Sequence, residues 1–311
     1  MMKNSFIELD KENPKRYDLR AFCYTEMSKG WKNKQINTNA LADYTRAIDL
    51  DPDPFYYIQK AHLKWGHKDY DFALADFATA IELSTDSVQI GRVISFRAGI
   101  FGIQEKWELC IEELTKAIAI NPKALYYSNR GLYYSKLEDY DKALADYTSA
   151  IDLDKENPEG YDYRADCYVA MEDYTNALKD LDKAIDLTPE SPRCYNERAV
   201  FYIKQGEFDL ALKDYNYLVK LFPDESNSYN TRAMFYALIE EYDKANKDFN
   251  KAIKLDPENT TSYFYRAKMY HKQEEYEKEK ADYLKTIEMN DEDPEGYYYL
   301  AGFYVTQNKS F

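Results

Sequence analysis

Few side chains in this sequence are suited to bond-making chemistry. It contains three histidines, His62, His67 and His271, and none sits beside a serine or cysteine in a recognisable nucleophile setting. There is no G-x-S-x-G elbow, H-E-x-x-H pair or glycine-rich phosphate loop. His62 and His67 are five residues apart, which on a helix places them on different faces and not in the i, i+4 arrangement of a zinc site. The acidic runs at Asp51 (DPDP) and Asn290 (NDEDPE) lack the glycine and closing glutamate of a calcium loop and read as solvated turns. Cys23, Cys110, Cys167 and Cys194 form no C-x-x-C pair and read as reduced, small apolar filler. The reading is therefore no enzyme, no cofactor and no metal.

A different pattern does recur. A basic residue is followed sixteen positions later by an acid in Lys60/Asp76, Arg97/Glu113, Arg130/Asp146, Arg164/Asp180, Arg198/Asp214, Arg232/Asp248 and Arg266/Asp282, and Arg20/Asp43 is the same pair stretched by an insertion. Such spacing predicts a ladder of ion pairs, each bridging two helices, that serves structure and register more than ligand capture.

Composition bounds the partners. With 41 basic and 56 acidic residues the net charge is −15, which disfavours nucleic acid and anionic membrane, since affinity for either rests on Lys and Arg. Gly and Pro number 10 each, while 45% of the 311 residues are hydrophobic, so there is ample apolar surface to offset chain entropy. The 32 tyrosines point to many half-exposed packing sites and not to one deep core. The start MMKNSFIELDKENPKRY has no apolar signal core, and no window approaches a membrane span, so the expected location is cytoplasmic.

The pairs are set in a longer period. Segments beginning at Arg130, Arg164, Arg198, Arg232 and Arg266 superpose at a step of 34 residues, and the frame extends back through Arg97, Lys60 and Arg20 with small length changes. Within each step two runs show three- and four-residue apolar spacing around a polar joint, the pattern of a helix hairpin. A small residue recurs at Ala21, Ala61, Ala98, Gly131, Ala165, Ala199, Ala233, Ala267 and Ala301, with an aromatic three residues on in all but Lys64. The second run carries Ala143, Ala177, Ala211 and Ala245, with Ala150, Ala184 and Ala252 seven residues after three of them, and prolines follow at Pro52, Pro122, Pro189, Pro223 and Pro257.

These slots resemble the tetratricopeptide repeat family over nearly the whole chain. The resemblance implies an all-α fold: a right-handed α-solenoid of helix-turn-helix hairpins, with eight full repeats plus terminal partial repeats. The units expected are 14–53, 54–90, 91–123, 124–157, 158–191, 192–225, 226–259 and 260–293, with partial helices at 1–13 and 294–311, in one array. Glu279 and Thr286 replace small residues of the last full unit, whose second helix is expected to pack loosely and fray. The insertion at Lys29–Asn39 lengthens the first hairpin and carries Trp31.

The resemblance also implies a scaffold that binds a partner peptide or protein segment in the groove lined by the first helices. Carried onto this chain, the lining includes Arg193, Asn196, Lys204, Asn227, Asn230, Phe264, Lys268, His271 and Lys272. The groove slots of all nine first helices sum to about +1 against −15 for the chain, so the acid lies mainly outside. A partner with acidic side chains or a free carboxylate would suit this lining. No three consecutive units supply the Lys, Asn and Arg set of the family's carboxylate clamp. The ends look cut, which keeps two alternatives open: a substrate-recruiting or regulatory region of a larger enzyme, and an array that self-associates end to end.

Overall fold

A computed structural model describes residues 12–27, 34–290 and 294–308. Over these residues the chain forms seventeen helices and no strand. They are α1 (Pro14–Met27), α2 (Lys34–Leu50), α3 (Pro54–Gly66), α4 (Tyr70–Leu83), α5 (Ser87–Ile103), α6 (Trp107–Ile120), α7 (Ala124–Lys136), α8 (Tyr140–Leu153), α9 (Pro158–Ala170), α10 (Tyr174–Leu187), α11 (Pro192–Lys204), α12 (Phe208–Leu221), α13 (Ser226–Leu238), α14 (Tyr242–Leu255), α15 (Thr260–Lys272), α16 (Tyr276–Met289) and α17 (Pro294–Asn308).

Local chemistry fixes the helix ends. Pro54, Pro158 and Pro192 occupy first helical positions, where the missing N–H has no partner to lose. The carboxylates of Asp53 and Asp86 and the amide oxygens of Asn157 and Asn259 accept from backbone N–H groups two residues on, capping α3, α5, α9 and α15. Each tight hairpin turns on one residue of positive φ: Lys68, Glu105, Glu138, Glu172, Gly206, Glu240 and Glu274, with φ between 55° and 76°. In the α7–α8 turn, Glu138 N–H donates to Ser135 O at 3.1 Å and Asp139 N–H to Tyr134 O at 2.9 Å, which closes the first helix by satisfying its last carbonyls.

The chain divides into two compact units, Met1–Ala177 and Leu178–Phe311, with the boundary inside α10. In each, the two helices of a hairpin pack together and the second helix of one hairpin packs on the first of the next. The fold is thus an α-solenoid of helix hairpins. The small slots are where helices touch: Ala21, Ala40, Ala61, Ala73, Ala199, Ala211, Ala233, Ala245 and Ala267 are fully buried. At Gly131 an added Cβ would stand 2.8 Å from the Tyr147 ring, so only hydrogen fits without the ring moving.

Three expectations are corrected. The second helix of the last full hairpin does not pack loosely: Glu279 is 2% and Thr286 7% exposed. Both Glu279 oxygens lie 3.0 Å from Nδ1 of His271, and the Thr286 hydroxyl donates to the Tyr283 carbonyl at 2.8 Å, so each polar group meets a partner inside the packing. Cys23 is exposed and is not filler, unlike the buried Cys110, Cys167 and Cys194. In α17, Ala301 and Tyr304 are exposed because no second helix covers them among the described residues. Of the partial helix expected at 1–13, residues 1–11 lie outside the described residues, as does Trp31, and residues 12 and 13 are not helical. The second half of the insertion is helical and makes α2 17 residues long, against 14 for α4, α6 and α8.

Candidate functional site

The groove residues expected from the sequence fall on α11, α13 and α15, all in the second unit. Lys204 and Lys272, in the last turns of α11 and α15, are exposed and make no ion pair among the described residues. There the negative end of each helix dipole favours a cation. Arg193 is exposed and its Nε donates to Glu197 at 2.6 Å one turn along α11, which leaves it partly neutralised. Lys268 is exposed, with Nζ 5.4, 5.7 and 5.6 Å from the ring centroids of Phe264, Tyr265 and Tyr299. The three rings hold the ammonium in place through their negative faces. Behind it, Tyr283 and Tyr299 stack at 5.8 Å, and burial raises the Tyr283 hydroxyl pKa, which keeps that ring neutral.

The amides behave differently from the cations. Asn227 is exposed, whereas Asn230 is 1% exposed and its Nδ2 donates to the Ser262 hydroxyl at 2.8 Å. Asn230 therefore braces α13 against α15 instead of facing outward. Asn196 is half-buried, with Oδ1 shielded and unbonded. His271 is exposed on its outer edge, but Nδ1 is engaged by Glu279. The arrangement offers charge and aromatic surface for contact, and no nucleophile with its base. Burial pushes the Cys110 thiol up to about 11 and raises Cys167, which keeps both protonated and inert. Among the described residues no group of three His, Cys, Asp or Glu could hold a metal ion.

The ion-pair ladder forms as its spacing predicted within each unit. Arg130, Arg198, Arg232 and Arg266 each reach their acid with Nε and Nη2, at 2.7 to 2.9 Å, in a two-pronged fork, and Arg20 meets Asp43 the same way. Arg97 Nε stands 3.3 Å from Glu113, and Asp76 takes Lys64 at 2.6 Å more closely than Lys60 at 3.9 Å. Arg164 and Asp180 fall in different units.

Two further contacts of the arginines escaped the sequence reading. The third nitrogen reaches back to a polar side chain on the preceding second helix, fifteen residues for Arg130 to Thr115 and sixteen for Arg164 to Thr148, Arg198 to Asp182, Arg232 to Asn216 and Arg266 to Asn250. Four of these guanidiniums also lie between tyrosines three residues before and four after, as Arg232 does between Tyr229 and Tyr236 at 5.8 and 5.9 Å. Arg130, Arg198 and Arg266 repeat the sandwich. A polar residue fifteen or sixteen positions upstream and tyrosines at −3 and +4 were the signals available.

Helix hairpins locked to their neighbours in this way, with charged and aromatic side chains left on the surface, define a helical-repeat scaffold. Family models for the tetratricopeptide repeat match residues 124–157, 226–259 and 249–281, and one for the TPR repeat matches 165–206. The chain belongs to the tetratricopeptide repeat family. No curated protein sequence matches it. Among solved structures it is similar to a tetratricopeptide repeat protein from Parabacteroides merdae, with 22% identity and a TM-score of 0.61 over 81% of this chain and 98% of that one. It is also similar to a chain of the APC/C hetero-tetramer Cut9–Hcn1, with 12% identity and a TM-score of 0.51, over 96% of this chain and 57% of that one. These likenesses support the fold. Repeats of this family serve in general as non-catalytic scaffolds for protein interaction, and among the described residues no helix is long and apolar enough to cross a membrane.

Proposed function

We propose that the chain is an adaptor whose first helices in the second unit, α11, α13 and α15, bind an extended peptide bearing acidic side chains or a free carboxylate. The observation that carries this reading is the sign of the charge. In a chain of net charge −15, the groove slots of these three helices hold Arg193, Lys204, Lys268 and Lys272 and no acid. Two of these cations are exposed and unpaired, and a third sits on a platform of rings that can take an apolar side chain of the same peptide. Exposed cations of this kind act mainly through steering and specificity, so binding should weaken steeply with salt. Asn227 is exposed, and in this reading its amide bonds the peptide backbone; Asn230 contributes by holding α13 to α15.

Peptide-display selection on the purified chain tests this, repeated with Lys204→Glu plus Lys272→Glu. Acidic peptides enriched on the parent and lost on the double variant are the expected result. Enrichment of neutral or basic peptides, or acidic peptides retained by the variant, would refute it.

A further inference from the structure

The exposed faces of α12 and α14 carry charge opposite in sign to that of the chain. Lys213 and Lys220 on α12 are seven residues apart, and Lys247, Lys251 and Lys254 on α14 follow at steps of four and three, so each set shares one side of its helix. Four are exposed, and Lys251 is half-buried with Nζ 5.6 Å from the Tyr229 ring. None of the five makes an ion pair among the described residues, although acids outnumber bases in the chain by 56 to 41. The two sets flank one seam. Between them α13 supplies Tyr229, under Lys251, and Arg232, whose Nη1 donates at 2.9 Å to Asn216, the residue between Lys213 and Lys220 on the same side of α12.

The packing of the hairpins does not require these lysines. The slots of Lys247, Lys251 and Lys254 hold Ala145, Ser149 and Asp152 in α8 and Ala75, Thr79 and Glu82 in α4. Helix dipoles favour Lys220 and Lys254, which lie in last turns, but not Lys213, Lys247 or Lys251. Like charges three and four residues apart on a helix repel, so the α14 set lowers stability unless an anion lies against it.

We propose that this seam receives an acidic helix of a partner protein, with carboxylates at i, i+4 and i+7 aimed at the lysines. From Lys247 to Lys254 is about 10 Å in steps of roughly one turn, the steps that one side of a helix laid alongside repeats. Same-side residues of an extended segment are about 6–7 Å apart and fall out of step. Exposed acids bound the face at both ends: Asp209 and Asp243 in the first turns of α12 and α14, and Asp224 and Asp256 just beyond their last. They leave room for about two to three turns of acidic helix. A phosphodiester strand or an anionic lipid surface would run past the lysines onto these carboxylates and be repelled. Among the described residues no helix presents three exposed carboxylates at this spacing, so a second copy of the chain has no match for it. Hairpins added at either end of such an array stack on its end helices and leave this face open.

The test uses the intact chain and two fluorescent stapled helices of equal composition in an alanine background, one with glutamates at i, i+4 and i+7, the other with the three spread around the helix. Anisotropy titration at low salt is expected to show the one-sided helix binding at least about tenfold tighter than the other, and weakening as salt is added. Lys247→Glu plus Lys251→Glu should lower that affinity at least about tenfold and create binding to the one-sided helix with lysines in place of glutamates, a swap that loss of folding would not produce. The groove variant Lys204→Glu plus Lys272→Glu should leave the titration unchanged, which separates this surface from the groove reading. Equal affinity for the two acidic helices, no binding at about 1 mM, or acidic binding retained by the Lys247 and Lys251 variant overturns the proposal. Tighter, variant-sensitive binding of phosphatidylserine vesicles or single-stranded DNA would overturn it in favour of a longer polyanion, and a concentration-dependent dimer lost in the same variant in favour of a second copy.

Discussion

Arg232 offers the sharpest test of the ladder. Its guanidinium gives Asp248 two hydrogen bonds of 2.7 and 2.9 Å, gives Asn216 a third at 2.9 Å, and lies between Tyr229 and Tyr236. The Asp248 side chain is 7% exposed and that of Arg232 18%. Truncation by Arg232→Ala leaves a carboxylate in an apolar seam with nothing to replace its partner. Breaking a fully buried pair costs about 3–5 kcal/mol. Water can enter the partly open cavity left by the arginine, which reduces the expected loss to about 2–4 kcal/mol. Replacing both members, Arg232→Met with Asp248→Leu, removes the unpaired charge and should return stability to within about 1 kcal/mol of the parent. The two single losses are then strongly non-additive, with a coupling of at least about 2 kcal/mol. Urea titration followed by circular dichroism gives the overall change. Amide exchange of α13 and α14 localises it, since stacked hairpins open by region and not as one unit. A loss below about 0.5 kcal/mol for Arg232→Ala, the range of ordinary surface changes, would refute the claim that the fork carries the seam. So would single losses that add to the value of the pair.

Two more outcomes follow from buried or strained groups. His62 is packed against Phe77 and Phe96 with Nε2 shielded and unbonded, and burial, aided by Arg92, lowers its pKa from 6.5. The unfolded chain binds this proton more readily, so the contribution of neutral His62 is complete above pH 6.5 and is lost as pH falls towards the lower folded value. Thermal melts of His62→Leu between pH 7.5 and 5.5 should show a shallower decline than the parent, and parallel curves would contradict the sign. Glu138 holds φ at 59° in the α7–α8 turn, a region that costs a residue with a Cβ about 1–2 kcal/mol. Glu138→Gly removes that cost but adds freedom to the unfolded chain worth about 0.4–1 kcal/mol, so a net gain near 0.5–1 kcal/mol is expected as a raised melting temperature. A lowered one would mean that the Glu138 side chain itself contributes.

What was legible in the sequence is what repeats. Small residues at a 34-residue step declare where helices meet, because close approach excludes larger side chains at every recurrence, and the Arg and Asp pairs declare their contact by constant spacing. What was not legible depends on one neighbour. Asn230 shares its slot with Asn196 and Phe264, and nothing in that column marks it as buried; it is Ser262 on the next helix that draws its amide inward. Glu279 in a small-residue slot reads as disruption until His271, from the facing helix, is placed against it. The tyrosines join the two kinds of information. Their abundance suggested many small interfaces, and the structure assigns the reason: a repeated guanidinium held between rings at −3 and +4 needs two aromatics per hairpin whose hydroxyl ends can stay near water. The same geometry changes at α17. Where Leu300 takes the basic slot, the residue sixteen before it on α16 is the exposed Leu284 in place of Asn250 or Asn216, so the polar acceptor disappears together with the arginine that needed it. At this interface the acceptor and the arginine are lost together, so neither is left in the packing without the other.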